Sequence, residues 1–443
     1  MNDFINSTST ALKTDHYEFT MLDALVRSGR SGNRAIFEVF ARDLPMGRPF
    51  GVFAGSGNLI ENINKFYVQD EQIEFLKLSK VVSPETLDWL TQYRFRGDIL
   101  SYLEGELYFP NSPVMTIEAE LGEALILETL ILSTLNHASS VATAAARISE
   151  AADGKLVMEA GSRRVHPDAA SDAARAAYIG GIDVTSNLEA GHRWGIPTTG
   201  TASHAFTLSF PNELEAFSTQ REFLGTDSVF LIDTFDITEG ITNAVKATDG
   251  QLKGIRLDSG DLEKGSRAAR NHLDSLGATA AQIMVSGDLD EYKIKKLSDC
   301  PIDAFESGHR LVTGSGAPSA GFVFKLVEIG DSSNALDHMR PVAKNSTGKE
   351  SIGGKKHAKR LLSNDLIAQE EILTIGQDAF EIAPLPNERY LQTPLCTKGN
   401  FISDWTIENA RDHFKKVIEE IPKDIRLRRD SPPAIPTKVI ERL

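Results

Sequence analysis

Arg163-Arg164, His204 and the run Arg256-Leu-Asp-Ser-Gly-Asp261 are the residues whose types and spacing could do chemistry on a phosphorylated substrate. Adjacent arginines offer paired N–H donors that can clamp a carboxylate or phosphate, although an isolated pair more often makes surface salt bridges. Asp258 and Asp261 flank a Ser259-Gly260 turn. Carboxylates placed so can accept hydrogen bonds from ribose hydroxyls or hold Mg²⁺, while the turn amides face an anion. The plainer reading is an acidic cap on the following helix, and both can hold, because a helix N-terminus is itself an anion site. His204 follows a Gly-Thr-Ala-Ser turn and carries a nitrogen nucleophilic toward phosphorus. A single histidine is nonetheless more often a packing residue with a hydrogen bond. Ser286-Gly287-Asp288, Ser307-Gly308-His309 and the glycine-rich 313–319 are turns of a common kind. Tyr17, beside Asp15 and Glu18, is either a core aromatic with a polar end or a ring that stacks on a flat substrate; alone, it reads as core. The chain has no His-x-x-x-His, Cys-x-x-Cys, Gly-x-Ser-x-Gly or Walker spacing.

These residues fall where short apolar runs end. Strands are predicted near 156–159, 180–184, 196–200, 228–233, 253–257, 282–286, 302–305 and 322–328. Helices fit between them at 169–179, 212–223, 238–247, 262–276 and 290–297. Strands that alternate with helices run parallel, so their carboxyl ends share one face. Clusters such as Glu159–Arg164, Asp183–Asn187, Thr199–His204 and Asp233–Asp236 would then converge on one pocket. About eight strands at this spacing suit a (β/α) barrel better than an open doubly wound sheet. In a barrel the turns after 286 and 307 sit where phosphate is usually bound.

The remaining segments must frame that barrel. A first helix opens at Thr14 or Asp15, and a strand follows at Arg34–Ala41. A long helix, roughly 121–152, is apolar over so wide a surface that it reads as buried between domains. The basic stretch 345–360 reads as a loop, 364–390 could supply strands, 407–421 is an amphipathic helix, and the proline-containing tail is extended. The expected fold is α/β, an irregular (β/α) barrel packed against a second α/β domain built from N- and C-terminal segments. Its expected parts are an N-terminal domain at 1–125, an interdomain helix at 126–155, the barrel at 156–335 and a returning C-terminal segment at 336–443.

The chain's 443 residues carry a net charge of −15, which argues against broad electrostatic attraction to nucleic acid or an acidic membrane. Two cysteines, Cys300 and Cys396, cannot build a disulfide framework, which fits a reducing cytoplasm. No secretion signal and no membrane-spanning stretch is read from the sequence.

The ordered series Thr14-Asp-His-Tyr-Glu-Phe-Thr-Met21, Phe37-Glu-Val-Phe-Ala-Arg-Asp-Leu-Pro45, Glu159-Ala-Gly-Ser-Arg-Arg164, Gly181-Ile-Asp-Val-Thr-Ser-Asn187, Gly200-Thr-Ala-Ser-His204, Arg256-Leu-Asp-Ser-Gly-Asp261 and Arg310-Leu-Val-Thr-Gly resembles nicotinate phosphoribosyltransferases. The resemblance implies a homodimer with shared active sites. It implies transfer of phosphoribose from phosphoribosyl pyrophosphate to nicotinate, with ATP hydrolysis coupled and Mg²⁺ as cofactor. His204 matches the histidine that ATP phosphorylates, and Arg163 the arginine that holds the nicotinate carboxylate. Tyr17 matches the aromatic that stacks on the pyridine ring from the partner subunit. Asp183, Thr185, Arg256, Asp258 and Ser259 match residues around base, ribose and phosphates. Gly260, Gly287, Asp288, Gly308 and His309 fall in the ribose and phosphate loops, with Asp258 and Asp261 as Mg²⁺ ligands. The chain departs from the family at Ala160, where Phe is frequent. It departs again at Glu306-Ser-Gly-His309, where Gly-x-Gly-Thr is usual. Nicotinamide is the rival base, and a non-catalytic nucleotide-binding module on the same scaffold is the rival class. An aldolase-like barrel would commonly need a Schiff-base lysine, for which no strand-end candidate stands out.

Overall fold

Six strands, Leu156–Glu159, Val184–Thr185, Val229–Leu231, Gly254–Leu257, Gln282–Val285 and Ala304–Ser307, pair in parallel as the alternation of strand and helix requires. The first strand lies beside the last, and a parallel bridge from Thr185 to Thr198 extends the edge. This order is that of an irregular barrel. The expected strand at 196–200 is reduced to that single bridge. The computed structural model describes residues 9–225, 227–332, 339–346, 351–376, 384–402 and 405–441. It divides into two units, Val141–Gly316 and the pair Met1–Ser140 with Ala317–Leu443.

In the barrel unit five of the turns into helices are capped by a short polar side chain. Asn187, Asn212, Asp236, Asp261 and Asp290 accept from backbone N–H groups two or three residues on. Small residues let the helices approach closely. A Cβ on Gly180 would lie 2.3 Å from the carbonyl oxygen of Ala142 and 2.7 Å from the Ala145 methyl. Bulk there would force apart Pro167–Ile179 and the second half of Glu128–Ala152. The buried Arg147 donates to Glu291 at 2.9 Å, and Glu291 also accepts from Ser315 at 2.5 Å.

The other unit is built on a seven-stranded antiparallel sheet, ordered Arg340–Pro341, Phe322–Ile329, Arg34–Ala41, Met115–Glu120, Asp98–Tyr102, Gln392–Thr397 and Asn400–Phe401. Here the strand expected at 322–328 is corrected: it belongs to this sheet, not to the barrel. Its pattern explains why. Phe322 and Phe324 are buried on either side of the more open Val323, the alternation of a strand whose first half has one wetter face. Phe324 stacks on Phe37 with ring centroids 4.6 Å apart. The barrel unit therefore ends at Gly316 rather than at 335.

Two further expectations change. The long helix is broken, with Leu121–Leu125 separate from Glu128–Ala152, and the boundary between units falls inside the latter. Of the basic stretch expected as a loop, Lys356–Leu362 is a strand, while 347–350 lie outside the described residues. Ion pairs override its composition, since Lys356 meets Glu38 at 2.7 Å and Arg360 meets Glu106 at 2.7 Å. Among the described residues no helix is long and apolar enough to cross a membrane.

Candidate functional site

The carboxyl ends of the barrel strands enclose a polar cavity of about 230 Å³. Ala160, Arg163 and Arg164 line it from the turn after Leu156–Glu159. Asp258 follows Gly254–Leu257, and Ser286, Gly287 and Asp288 follow Gln282–Val285. Glu306, Gly308 and His309 come from the end of Ala304–Ser307. Two glycines are required sterically. A Cβ on Gly287, whose φ is +118°, would sit 2.9 Å from the Asp258 carbonyl oxygen, and one on Gly308 would sit 2.9 Å from that of Ala160. The strand ends thus crowd together and turn backbone toward the cavity.

His204 starts the short helix His204–Leu208, with Nδ1 3.0 Å from Thr234 Oγ1. Its Nε2 lies 3.9 Å from Asp233 Oδ1 and 4.0 Å from Asp258 Oδ2. Asp233 is nearly enclosed, its side chain 2% exposed. Its Oδ2 accepts from the Asp258 amide at 3.0 Å and from Ser259 Oγ at 2.6 Å. Its Oδ1 is buried with no hydrogen-bond partner, and so is Arg256 Nε. Unsatisfied buried polar atoms are costly and mark a site poised for something else. Asp258 joins the two halves, since it faces His204, accepts from Ser286 Oγ at 2.5 Å and lines the cavity.

Arg256 donates to Thr201 Oγ1 and to Glu306 Oε2, the latter at 3.0 Å. Burial pushes the Glu306 carboxyl above its ordinary range, opposed by the Arg256 charge and reinforced by Asp258. Glu159 is also shifted upward by burial, against hydrogen bonds from Thr185 and the Gly161 amide.

The expected site residues separate. Arg163, Asp258, Gly287, Asp288, Gly308 and His309 share the cavity, and His204, Arg256 and Ser259 join it through Asp258, Glu306 and Asp233. Gly260 is exposed in an open turn with φ +79°. Asp183 does not join the cavity: its carboxylate accepts from the Val157 amide at 2.9 Å, near the start of a strand whose other end bears Glu159. Thr185 is buried and donates to Glu159 at 2.5 Å, so it shapes the wall rather than lining it. Asp261 is exposed and caps Leu262–Ser275 through the Lys264 amide at 3.1 Å, the plainer of its two readings. Among the described residues no three His, Cys, Asp or Glu side chains are gathered to hold a metal. Tyr17 lies in the other unit, 44% exposed on His16–Arg27, with burial the first cause of its raised pKa, followed by Glu128 and Glu18. Asp233, Thr201 and Glu306 were not singled out from sequence. Asp233 opened one of the strand-end clusters and Glu306 stood in the atypical loop, which is the signal that could have found them.

The family model for the nicotinate phosphoribosyltransferase N-terminal domain matches residues 12–136. The model for the quinolinate phosphoribosyl transferase C-terminal domain matches residues 141–315, nearly the limits of the barrel unit. A nicotinate phosphoribosyltransferase of Mycobacterium tuberculosis is 44% identical over 444 residues, covering 98% of this chain and 96% of that one. One from Bacillus subtilis is 37% identical, covering 80% of this chain and 74% of its own. The crystal structure of human nicotinic acid phosphoribosyltransferase matches with a TM-score of 0.80 at 24% identity and covers 97% of each chain, a likeness of fold.

Proposed function

The chain belongs to the nicotinate phosphoribosyltransferase family, and from that premise we propose that it joins nicotinate to phosphoribosyl pyrophosphate with ATP turnover coupled through His204. The observation that carries the reading is the sharing of Asp258 between His204 and a cavity lined by Arg163 and two strand-end glycine turns. The pyridine nitrogen attacks C1 of the ribose, and pyrophosphate leaves with the electron pair of the broken C–O bond. Gly287 and Gly308, packed against the Asp258 and Ala160 carbonyls, leave backbone in the cavity wall for a phosphate, while Arg163 and Arg164 offer charge to the nicotinate carboxylate and to phosphate. Mg²⁺ needs only one or two protein carboxylates beside substrate oxygens. Asp258 and Asp288 would hold it here, and its chemistry is to neutralise charge on the leaving group.

Coupling to ATP begins with a lone pair on the His204 imidazole. It attacks the γ-phosphorus, a P–N bond forms, the P–O bond to ADP breaks, and water later takes the phosphoryl group to give phosphate. Thr234 fixes the ring and the Asp233 carboxylate faces it, which keeps the imidazole oriented. The same reading includes a homodimer with shared sites, to which Tyr17 would contribute across the interface, and a cytoplasmic location. The test is to label the protein with ATP carrying a marked γ-phosphate. An acid-labile label mapped to His204 supports the reading, and label elsewhere or none removes the phosphohistidine. Nicotinate should outperform nicotinamide as substrate because a charged carboxylate gains more from Arg163 than a neutral amide does; preference for the amide overturns the choice of base.

A further inference from the structure

Two arginines, Arg163 and Arg164, and three carboxylates, Asp258, Asp288 and Glu306, line this cavity, and Arg256 is reached only through Glu306. A cavity for anions would be expected to carry surplus positive charge, and this one carries none. Glu306 accounts for the deficit. Its side chain is 12% exposed, lines the cavity and takes Arg256 at 3.0 Å. Arg256 is 11% exposed and its Nε has no hydrogen-bond partner, so Glu306 holds a guanidinium that still has a donor to give.

We propose that Glu306 is a selectivity residue that occupies Arg256 and so keeps the cavity's grip on free pyrophosphate weak. The inference rests on the reading in which pyrophosphate is the leaving group. An anion beside Gly287 and Gly308 meets the arginines at 163 and 164, but it also meets the Glu306 carboxylate that takes Arg256. A tightly held pyrophosphate would stay after transfer, and a carboxylate in the wall favours its departure. One unit charge about 5 Å away in a partly solvated site changes an affinity by about tenfold.

The experiment titrates inorganic pyrophosphate into the full-length protein in the presence of EDTA, by calorimetry. The variants are Glu306→Gln, which keeps an oxygen for Arg256 and drops the charge, Glu306→Asp, which keeps the charge, and Glu306→Ala. The expected result is about tenfold tighter binding by Glu306→Gln, affinity near the wild-type value for Glu306→Asp, and a matching fall in the product-inhibition constant of pyrophosphate for Glu306→Gln. If Glu306 only steadies Arg256, Glu306→Ala weakens binding and Glu306→Gln leaves it unchanged, which overturns the proposal alone. No detectable binding by Glu306→Gln overturns the proposal alone, because in the reading beneath it Mg²⁺ accompanies pyrophosphate; that reading fails separately if nicotinate and phosphoribosyl pyrophosphate with Mg²⁺ give no nucleotide.

Discussion

Each unit of this protein holds a cluster of charges, and the two are built on opposite terms. In the unit of the antiparallel sheet, Glu106 accepts from Arg360 at 2.7 Å, Arg389 at 2.6 Å and His413 at 2.9 Å. Glu371 and Glu420 each take Arg360 at 3.0 Å, and Tyr102 and Ser112 complete Glu371. Arg360 and Glu371 are fully buried. At the barrel mouth the charges are half open, and Asp233 Oδ1 and Arg256 Nε have no partner. Arg360 Nε also has no partner, but it is sealed from solvent, so this network presents no surface to a ligand, and it ties four distant chain segments together. An open one has donors and acceptors to offer, which is what a binding site requires.

Four substitutions would sharpen or break this contrast. The largest effect is expected from His204→Ala, which should reduce ATP turnover by a factor of about 10³ or more while slow phosphoribosyl transfer persists. ATPase activity that survives intact removes the role of the ring. Next is Glu106→Ala, which takes one carboxylate from both Arg360 and Arg389 and should cost about 3–5 kcal/mol in denaturant unfolding with the nicotinate KM unchanged. A normal unfolding midpoint would mean the buried cluster is not structural. Arg163→Ala should raise the nicotinate KM by about 10- to 100-fold and leave the unfolding curve in place. Asp233→Asn should lower ATP-dependent turnover by about tenfold, since the amide keeps the shape but not the charge beside His204; equal turnover would make the orphaned oxygen irrelevant.

The smallest effect is one of pH. Burial alone would raise the Glu106 carboxyl, but Arg389 and Arg360 outweigh it and hold it well below the usual carboxylate range. A depressed folded-state pKa supplies stability above the unfolded value of about 4.3 that is lost as pH falls through the folded value. The stability difference between wild type and Glu106→Gln should therefore shrink on acidification below about pH 4. A difference that stays constant would show that Glu106 does not titrate as its neighbours require.

The reach of sequence reasoning follows the range of the forces involved. Alternation, caps and glycine turns are local, so the parallel strands at 156–159, 253–257 and 282–286 and the helices after them were legible. The placement of Arg163 and Asp258 just past strand ends was legible in the same way, whereas His204 follows a segment that keeps only the bridge from Thr198 to Thr185. The misplaced strand at 322–328 has a different cause: its residues make it a strand, but only its pairing with Arg34–Ala41 decides which sheet it joins. The same holds for Lys356–Leu362, whose charges read as a loop until their partners at Glu38 and Glu106 are known.

By itself, then, the amino-acid order determined the elements, the direction of the barrel strands and the kinds of side chain at their ends. Tertiary structure alone decided which of those side chains are already occupied. Asp261 is spent on its own helix, Asp183 on a neighbouring strand and Arg256 on Glu306, while Asp233 keeps an oxygen unpaired toward His204. The physical reason is that a hydrogen bond or ion pair is settled within a few ångströms, and residues fifty positions apart reach that distance only when the strands between them have closed into a sheet.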